Sequence, residues 1–401
     1  MPACTRPSAA EQRLRQRAYV WQRQWSPAVS EAVGLASTQL DGVVVLGAEF
    51  GWKGSSVSTV ETKIDWDALQ HSGKCGLAIR VGPVGDSQTI ENLRVEQVEA
   101  EVERLLSVAR AHQVAIGEWQ LDFDCPVKQL PVYSRWIAKV RAYVRPARLV
   151  VTTLPAWLDS SEFAQLIDNC DGYILQVHSV PLRESKANWK ICDSALAKKW
   201  VLRASRYKKP FAVALPTYRC VAGYAPSGEL LGVTMDSVQG AWPPNTTWRE
   251  MAADPDELAD LVRDWKENRP SELNEIIWYR LPVESDARNW RFATLAAVAN
   301  GRKPHRQIDV FGQGTNPMDV SVRNAGEADE RLQMKIIVDS DQPAIDADAL
   351  AGYRVSMNGS QSIFATKDDE GLRLRPGETR SLGWLRFASP AKARLEMVRQ
   401  P

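Results

Sequence analysis

The chain reads as an α/β protein, a (β/α)8 TIM-type barrel followed by a small C-terminal all-β, sandwich-like domain. Eight apolar extended segments alternate with amphipathic helical ones over the first three quarters of the sequence, which favours a closed parallel barrel. No Gly-x-Gly-x-x-Gly loop follows any of these strands, which disfavours an open doubly wound sheet. Beyond Gly301-Arg302-Lys303-Pro304 the helical periodicity stops, and short strands separated by turn residues take over.

The predicted barrel strands are Ala18 to Trp25, Asp41 to Phe50, Cys75 to Val84, Glu118 to Cys125, Arg148 to Trp157, Gly172 to His178, Pro210 to Tyr218 and Glu275 to Pro282. Between them the clearest helix is Val95 to Ala111, where Val98, Val102, Leu105, Leu106 and Ala109 make one apolar stripe. Tyr133 to Val144, Glu162 to Ile167, Asn188 to Ser205, Asp256 to Glu267 and Asn289 to Ala299 supply most of the others. Ser26-Pro27 and Asp254-Pro255 each offer an N-cap residue followed by proline at the first helical position. In the last quarter, Asp319 to Arg323, Leu332 to Asp339, Tyr353 to Met357, Gly371 to Leu374 and Ser381 to Phe387 read as strands divided by Asn-Ala-Gly, Asn-Gly-Ser and Pro-Gly-Glu turns. The expected division is a disordered tether over residues 1–16, a barrel over 17–304 and a β-domain over 305–401. Residues 219–250 are too long for a routine βα loop and read as a hairpin lid over the barrel mouth or as a flap packing against the C-terminal β-domain.

Charge excludes some partners. The chain of 401 residues carries 50 lysines and arginines against 49 aspartates and glutamates, with no long single-sign run, so neither nucleic acid nor an anionic membrane surface is expected as a partner. No apolar run is long enough to span a bilayer. The six cysteines form no Cys-x-x-Cys pair and the four histidines no local ligand spacing, so no metal or cofactor is expected.

In a barrel the functional address is the C-terminal rim of the strands. The segment Gln120-Leu121-Asp122-Phe123-Asp124-Cys125-Pro126 places Gln120, Asp122 and Asp124 on one strand face, with Pro126 ending the ladder. Two neighbouring carboxylates there raise one another's proton affinity, the condition for acid chemistry; the alternative is a pair neutralised by lysine, arginine or backbone N–H groups. The other strand ends bring Gln24 and Trp25, Glu49, Arg80, Trp157, Gln176 and His178, Tyr218, and Tyr279 and Arg280. Glu49 is a candidate second carboxylate or a solvated loop acid, His178 a proton shuttle or a backbone-bonded core histidine, and Tyr218 a ligand contact or a loop anchor. Of fifteen tryptophans, Trp21, Trp25, Trp52 and Trp157 are placed near the ligand. Acids ringed by flat aromatic surfaces suit a glycan, whose glycosidic oxygen needs a proton donor.

Several of these segments carry a family resemblance. Ala18-Tyr19-Val20-Trp21-Gln22-Arg23-Gln24-Trp25, the Gln120 to Pro126 run, Thr153-Leu154-Pro155-Ala156-Trp157-Leu158, Leu175-Gln176-Val177-His178 and Ala214-Leu215-Pro216-Thr217-Tyr218 resemble the bacterial family called domain of unknown function 3142. That resemblance implies a glycosidase-like barrel, often exported. More distantly, the strand is similar to the Asp-x-x-Asp-x-Asp-x-Glu motif of family 18 glycoside hydrolases, the chitinase group. Aligned on the proline, Asp124 stands where the acidic glutamate would be, Asp122 at the supporting aspartate, and Gln120 replaces the aspartate before it.

The functional expectation is a glycoside-hydrolase-like protein that hydrolyses or binds a polysaccharide. Asp124 would be the general acid, Asp122 its support, and Glu49 or a substrate N-acetyl group the nucleophile. The alternatives are a non-catalytic glycan-binding envelope lipoprotein and a metal-assisted hydrolase using Asp122, Asp124 and His178. Met1-Pro2-Ala3-Cys4 with its Pro/Ser/Ala follow-on looks like the end of a lipoprotein signal, which places a lipid anchor at Cys4 and the protein at the periplasmic membrane; taken at face value, the start is cytoplasmic. The lipoprotein expectation is checked by fractionating cells that express the complete gene: the product should sediment with membranes, and Cys4→Ser should release it.

Overall fold

The structure is a computed structural model and describes residues 13–53, 56–82, 90–181, 183, 190–235, 242–367 and 371–399. Cys4 and most of the expected tether lie outside these residues. The chain divides into two compact units, Met1–Arg302 and Lys303–Pro401.

In the first unit the strands are β1 (Arg15–Val20), β2 (Gly42–Lys53), β3 (Ser56–Glu61), β4 (Lys74–Val81), β5 (Ile116–Phe123), β6 (Arg148–Thr153), β7 (Gly172–Gln176), β8 (Phe211–Pro216), β9 (Arg219–Tyr224), β10 (Leu230–Thr234), β11 (Thr247–Ala252) and β12 (Leu273–Tyr279). The parallel order β1-β12-β8-β7-β6-β5-β4-β2 closes through a β1–β2 pairing, so all eight predicted strands build one barrel. β3 folds back antiparallel on β2 as a hairpin extension. The first strand starts at Arg15 and ends at Val20, earlier than its apolar run implied, so Trp21 to Trp25 lie in the following loop.

The helices are α1 (Pro27–Gln39), α2 (Trp66–Leu69), α3 (Val95–Ala111), α4 (Leu130–Val144), α5 (Ser161–Asp168), α6 (Ser194–Ala204), α7 (Pro255–Glu267) and α8 (Phe292–Ala299). Asp254 caps α7, its carboxylate accepting the backbone N–H groups of Asp256 and Glu257 at 2.9 and 3.2 Å. Ser26 occupies the matching position before α1 and Pro27, but its hydroxyl makes no cap bond.

Alternation along each strand separates two cores. Outward residues such as Ala18, Val20, Leu77, Trp119, Leu121 and Phe123 pack under the helices. Inward residues, including Tyr19, Val44, Ala78, Val150, Ile174 and Ile277, fill the lumen.

The floor of that lumen is ionic. Arg17 donates to Glu118 at 2.7 Å and also pairs with Glu275, while Arg148 reaches Glu118 at 3.1 Å. Burial alone would lower the Arg17 pKa, and the charges of Glu275 and Glu118 overcome it and raise the group; burial would likewise raise Glu118, which Arg17, Gln120 and Arg148 hold below the ordinary range. Beside this layer Gly42 takes φ +150°, and a Cβ there would fall 2.0 Å from the Lys74 carbonyl oxygen, so glycine is required where β1, β2 and β4 converge.

The strands Arg219–Tyr224, Leu230–Thr234 and Thr247–Ala252 form an antiparallel sheet of order β10-β9-β11 beside the barrel mouth. Cys220, Ala222, Tyr224 and Met251 pack there with Tyr218 and Ile191 into a small core of their own. The long insertion is thus a structured flap on the barrel.

The second unit is all antiparallel, as expected of its turn-rich sequence. One four-stranded sheet joins Ile308–Gln313, Met318–Asn324, Thr379–Phe387 and Ala344–Ala349; another joins Tyr353–Asn358, Gln361–Thr366, Met334–Ser340 and Ala393–Arg399. Val320, Val322, Ile336, Val338, Phe364 and Leu385 share one core between them. Four of these strands were not anticipated, because Ile308–Gln313, Ala344–Ala349 and Ala393–Arg399 are half polar, and Gln361–Thr366 follows the Gly359-Ser360 turn directly.

Replacing Arg17 by methionine leaves Glu118 and Glu275 buried without their shared cation. The expected loss is about 3–5 kcal/mol of barrel stability, read as a lower urea midpoint; an unchanged midpoint would show that the floor layer does not depend on this pairing.

Candidate active site

The C-terminal rim encloses a cup of about 470 Å³. The fourth barrel strand, β5, builds its acidic side from a single column: Glu118, Gln120 and Asp122 all face the lumen because they sit two residues apart. Gln120 is fully buried beneath the cup, accepting from the Tyr19 hydroxyl at 2.6 Å and donating to Glu118 at 2.8 Å. It therefore joins floor to mouth and is not on the ligand surface.

Above it, Asp122 accepts from Thr152 Oγ1 at 2.7 Å and Gln176 Nε2 at 3.3 Å, with Arg80 Nε 4.0 Å away. Burial raises its pKa; Thr152, Arg80 and Gln176 oppose that rise, and the Glu49 charge adds to it. Asp124 lies one residue past the end of the strand, exposed at the mouth, and makes no hydrogen bond or ion pair among the described residues. Its pKa is pushed up to about 6, first by the protein mass around the cup and then by the neighbouring Asp122 charge, with Arg80 opposing. The two acids therefore differ in kind: one is held in place, the other is free to exchange a proton.

The opposite wall is aromatic. Tyr279 stands edge-on to Tyr19 and Trp21, with centroids 5.9 and 5.5 Å apart, and stacks on His178 at 5.4 Å and 21°. His178 Nδ1 lies 3.4 Å from the Tyr218 hydroxyl, and burial pushes the imidazole pKa down to about 4. Val233 and Met235 bring the flap to the cup.

Other candidates lie elsewhere. Glu49 sits behind Arg80 and is engaged by two arginines, pairing with Arg23 and standing 3.8 Å from Arg80. Gln24 is exposed and Trp25 half-buried against the helix-side core, both in the β1–α1 loop that pairs with Lys63. Trp52 is on the β2–β3 hairpin and packs against that same core. Arg280 turns to Asp286 at 3.5 Å and is not part of the cup lining. Trp157 is buried in the helix-side core, where its indole donates to the Cys125 carbonyl at 3.1 Å; it anchors the turn that carries Asp124. Among the described residues no three His, Cys, Asp or Glu side chains converge as a metal-ligand set, so Asp122, Asp124 and His178 do not form one.

Reading only strand ends missed Tyr19 and Thr152. The period-two rule was the available signal: Arg17 and Tyr19 share a parity on the first strand, as Val150 and Thr152 do on β6.

Fold and site together define a TIM-type barrel protein with an acid-bearing, aromatic-walled cup at the C-terminal rim of its strands. The chain belongs to the family described as domain of unknown function DUF3142, whose model matches residues 84–284, the half of the chain that includes the Gln120 to Pro126 run and the Leu175 and Ala214 segments. Residues 311–388 match a second domain of unknown function, DUF8456. No curated protein matches the chain in sequence. Among solved structures, the chain is similar to the spore cortex-lytic enzyme SleL of Bacillus megaterium QM B1551, at 11% identity over 73% of this chain and 75% of that one with a TM-score of 0.48. It is also similar to the GH18 chitinase ChiB of Flavobacterium johnsoniae, at 11% identity, 72% and 94% coverage and a TM-score of 0.45.

Carboxyl-detected NMR of the aspartates tests the electrostatics. Asp124 should titrate near pH 6, and Asp122→Asn should lower that midpoint while leaving it above the ordinary carboxylate range, because the protein mass around the cup still desolvates the carboxylate. A midpoint unmoved by Asp122→Asn would separate the two acids.

Proposed function

We propose that the cup binds a carbohydrate chain and cleaves a glycosidic bond, with Asp124 as the general acid. The observation that carries this reading is the Asp124 carboxyl, without a hydrogen bond or ion pair among the described residues, lining the cup and raised to about 6 beside a fixed second acid. A donor matched to near-neutral pH can protonate a leaving oxygen without forfeiting its proton to water beforehand. Asp122, held by Thr152 and Gln176, keeps its charge close enough to sustain that proton affinity, and Arg80 stabilises the pair once Asp124 is ionised. Glu49 serves as the holder of Arg80, because its carboxylate is already committed to Arg23 and Arg80. Trp21 and Tyr279 offer faces and edges to the apolar C–H surfaces of a sugar ring.

The same cup without turnover would be a glycan-binding site, and one experiment separates the two. On a panel of oligosaccharides that includes N-acetylhexosamine polymers, Asp124→Asn should fold and bind like the wild type but lose turnover by about 10²-fold or more. Wild-type turnover should fall as pH rises through about 6, since the donor then loses its proton. Binding with no wild-type turnover on any polymer would assign the cup to recognition alone.

A further inference from the structure

Two buried nitrogens in the aromatic wall have no partner. Of the buried side-chain nitrogens and oxygens without a hydrogen bond among the described residues, Trp21 Nε1 and His178 Nε2 belong to cup-lining residues. Both side chains lean on Tyr279, at centroid distances of 5.5 and 5.4 Å, so they are parts of one packed surface. A buried N–H that stays unpaired costs about 1–3 kcal/mol, a cost that a ligand oxygen entering the cup would remove.

The indole nitrogen is a donor by its chemistry. For His178, the contact with Tyr218 links the tautomer to the cup. The Tyr218 phenol is buried, and among the described residues its hydroxyl meets only His178 Nδ1. Either tautomer leaves one donor for a ligand to satisfy, the phenolic hydrogen if Nδ1 is protonated or the Nε2 hydrogen if the hydroxyl donates to Nδ1, and the second arrangement makes His178 the donor. Burial holds the ring neutral, so it has no second proton to give near neutral pH.

We propose that His178 is a specificity-determining donor that works beside the Trp21 indole, and that the pair is reserved for an uncharged acceptor oxygen of the ligand, an amide carbonyl or a hydroxyl. This rests on the reading of the cup as a carbohydrate site, and it replaces the proton-shuttle role for His178. A ligand ammonium would bring donors against donors. A ligand carboxylate would enter a cup that already holds Asp122 and Asp124.

The test uses the full chain carrying Asp124→Asn, with calorimetric titration of three probes: cellotetraose, the N-acetylglucosamine tetramer and the cationic glucosamine tetramer. At least one uncharged tetramer should bind, and the glucosamine tetramer should bind more weakly than it. His178→Phe, which keeps a flat ring against Tyr279, should weaken the uncharged ligand by about tenfold. His178→Gln, which places an amide N–H near the Nε2 position, should recover most of that loss. In parallel, nitrogen-detected NMR of the free protein should show the Nε2–H tautomer with no titration between pH 5 and 8. Equal affinity in His178→Phe, or equal losses in both variants, overturns the donor role while the carbohydrate reading stands. A titrating imidazole or an Nδ1–H tautomer overturns it as well. If no tetramer binds either the wild type or Asp124→Asn, the carbohydrate reading falls and this inference falls with it.

Discussion

The barrel is organised around a cation that cannot be left alone. Arg17, from the strand that closes the barrel, lies in the lumen between Glu275 on the adjacent strand and Glu118 across the lumen, all three nearly inaccessible to water. A buried ion triad of this kind is weak evidence of net stabilisation, because desolvation consumes most of the Coulombic gain. Its larger effect is on register. Side chains alternate with a period of two, so sliding β1 by one residue would drive Arg17 under the helices and pull Ala18 into the lumen. With Arg17 inward, Tyr19 must also face inward, and Trp21, just past the strand end, lines the cup. With Glu118 inward, Gln120 and Asp122 follow. The ionic floor therefore dictates which side chains arrive at the mouth.

From floor to mouth the lumen passes through three electrostatic regimes. Charges at the bottom are paired directly. The middle is neutral and hydrogen-bonded, with Tyr19 donating to Gln120 and Gln120 to Glu118. At the top, Asp122 is still held by Thr152 and Gln176, and Asp124, one residue past the ladder, has no hydrogen-bond or ion-pair partner among the described residues. Pairing fixes a group and removes its reactivity; the single unpaired acid of this column stands where a ligand can reach it. Its position is still defined, because the Trp157 indole pins the next carbonyl, that of Cys125.

The flap and the aromatic wall complete the cup from the other side. Tyr218 is shared between them, belonging to the small core of the flap and touching His178 with its hydroxyl. Tyr279 closes the circle by contacting Tyr19, Trp21, His178 and Tyr218. A neutral aromatic surface thus faces an acidic one across about 470 Å³, an arrangement suited to an uncharged ligand that needs one proton.

Much of this was legible in one dimension. Eight β-rich runs separated by amphipathic ones announce a parallel sheet with both faces covered, and the lack of a Gly-x-Gly-x-x-Gly loop turns that reading toward the closed barrel. The spacing of Gln120, Asp122 and Asp124 announces an acid column, because two-residue periodicity is a local property of extended chain. The sequence could not show which members of that column are consumed by neighbours. Gln120 is engaged by Tyr19 on β1 as well as by Glu118 on its own strand, and Glu49 by Arg23 and Arg80, each more than twenty positions away. Nor could it show that Trp157 points outward into the core while Trp21 lines the cup, since both are tryptophans next to strand ends. Local pattern sets which face a side chain takes on its own strand; only closure of the barrel decides what it meets there, and Asp124, unlike Glu118 and Asp122 below it, meets no hydrogen-bond or ion-pair partner among the described residues.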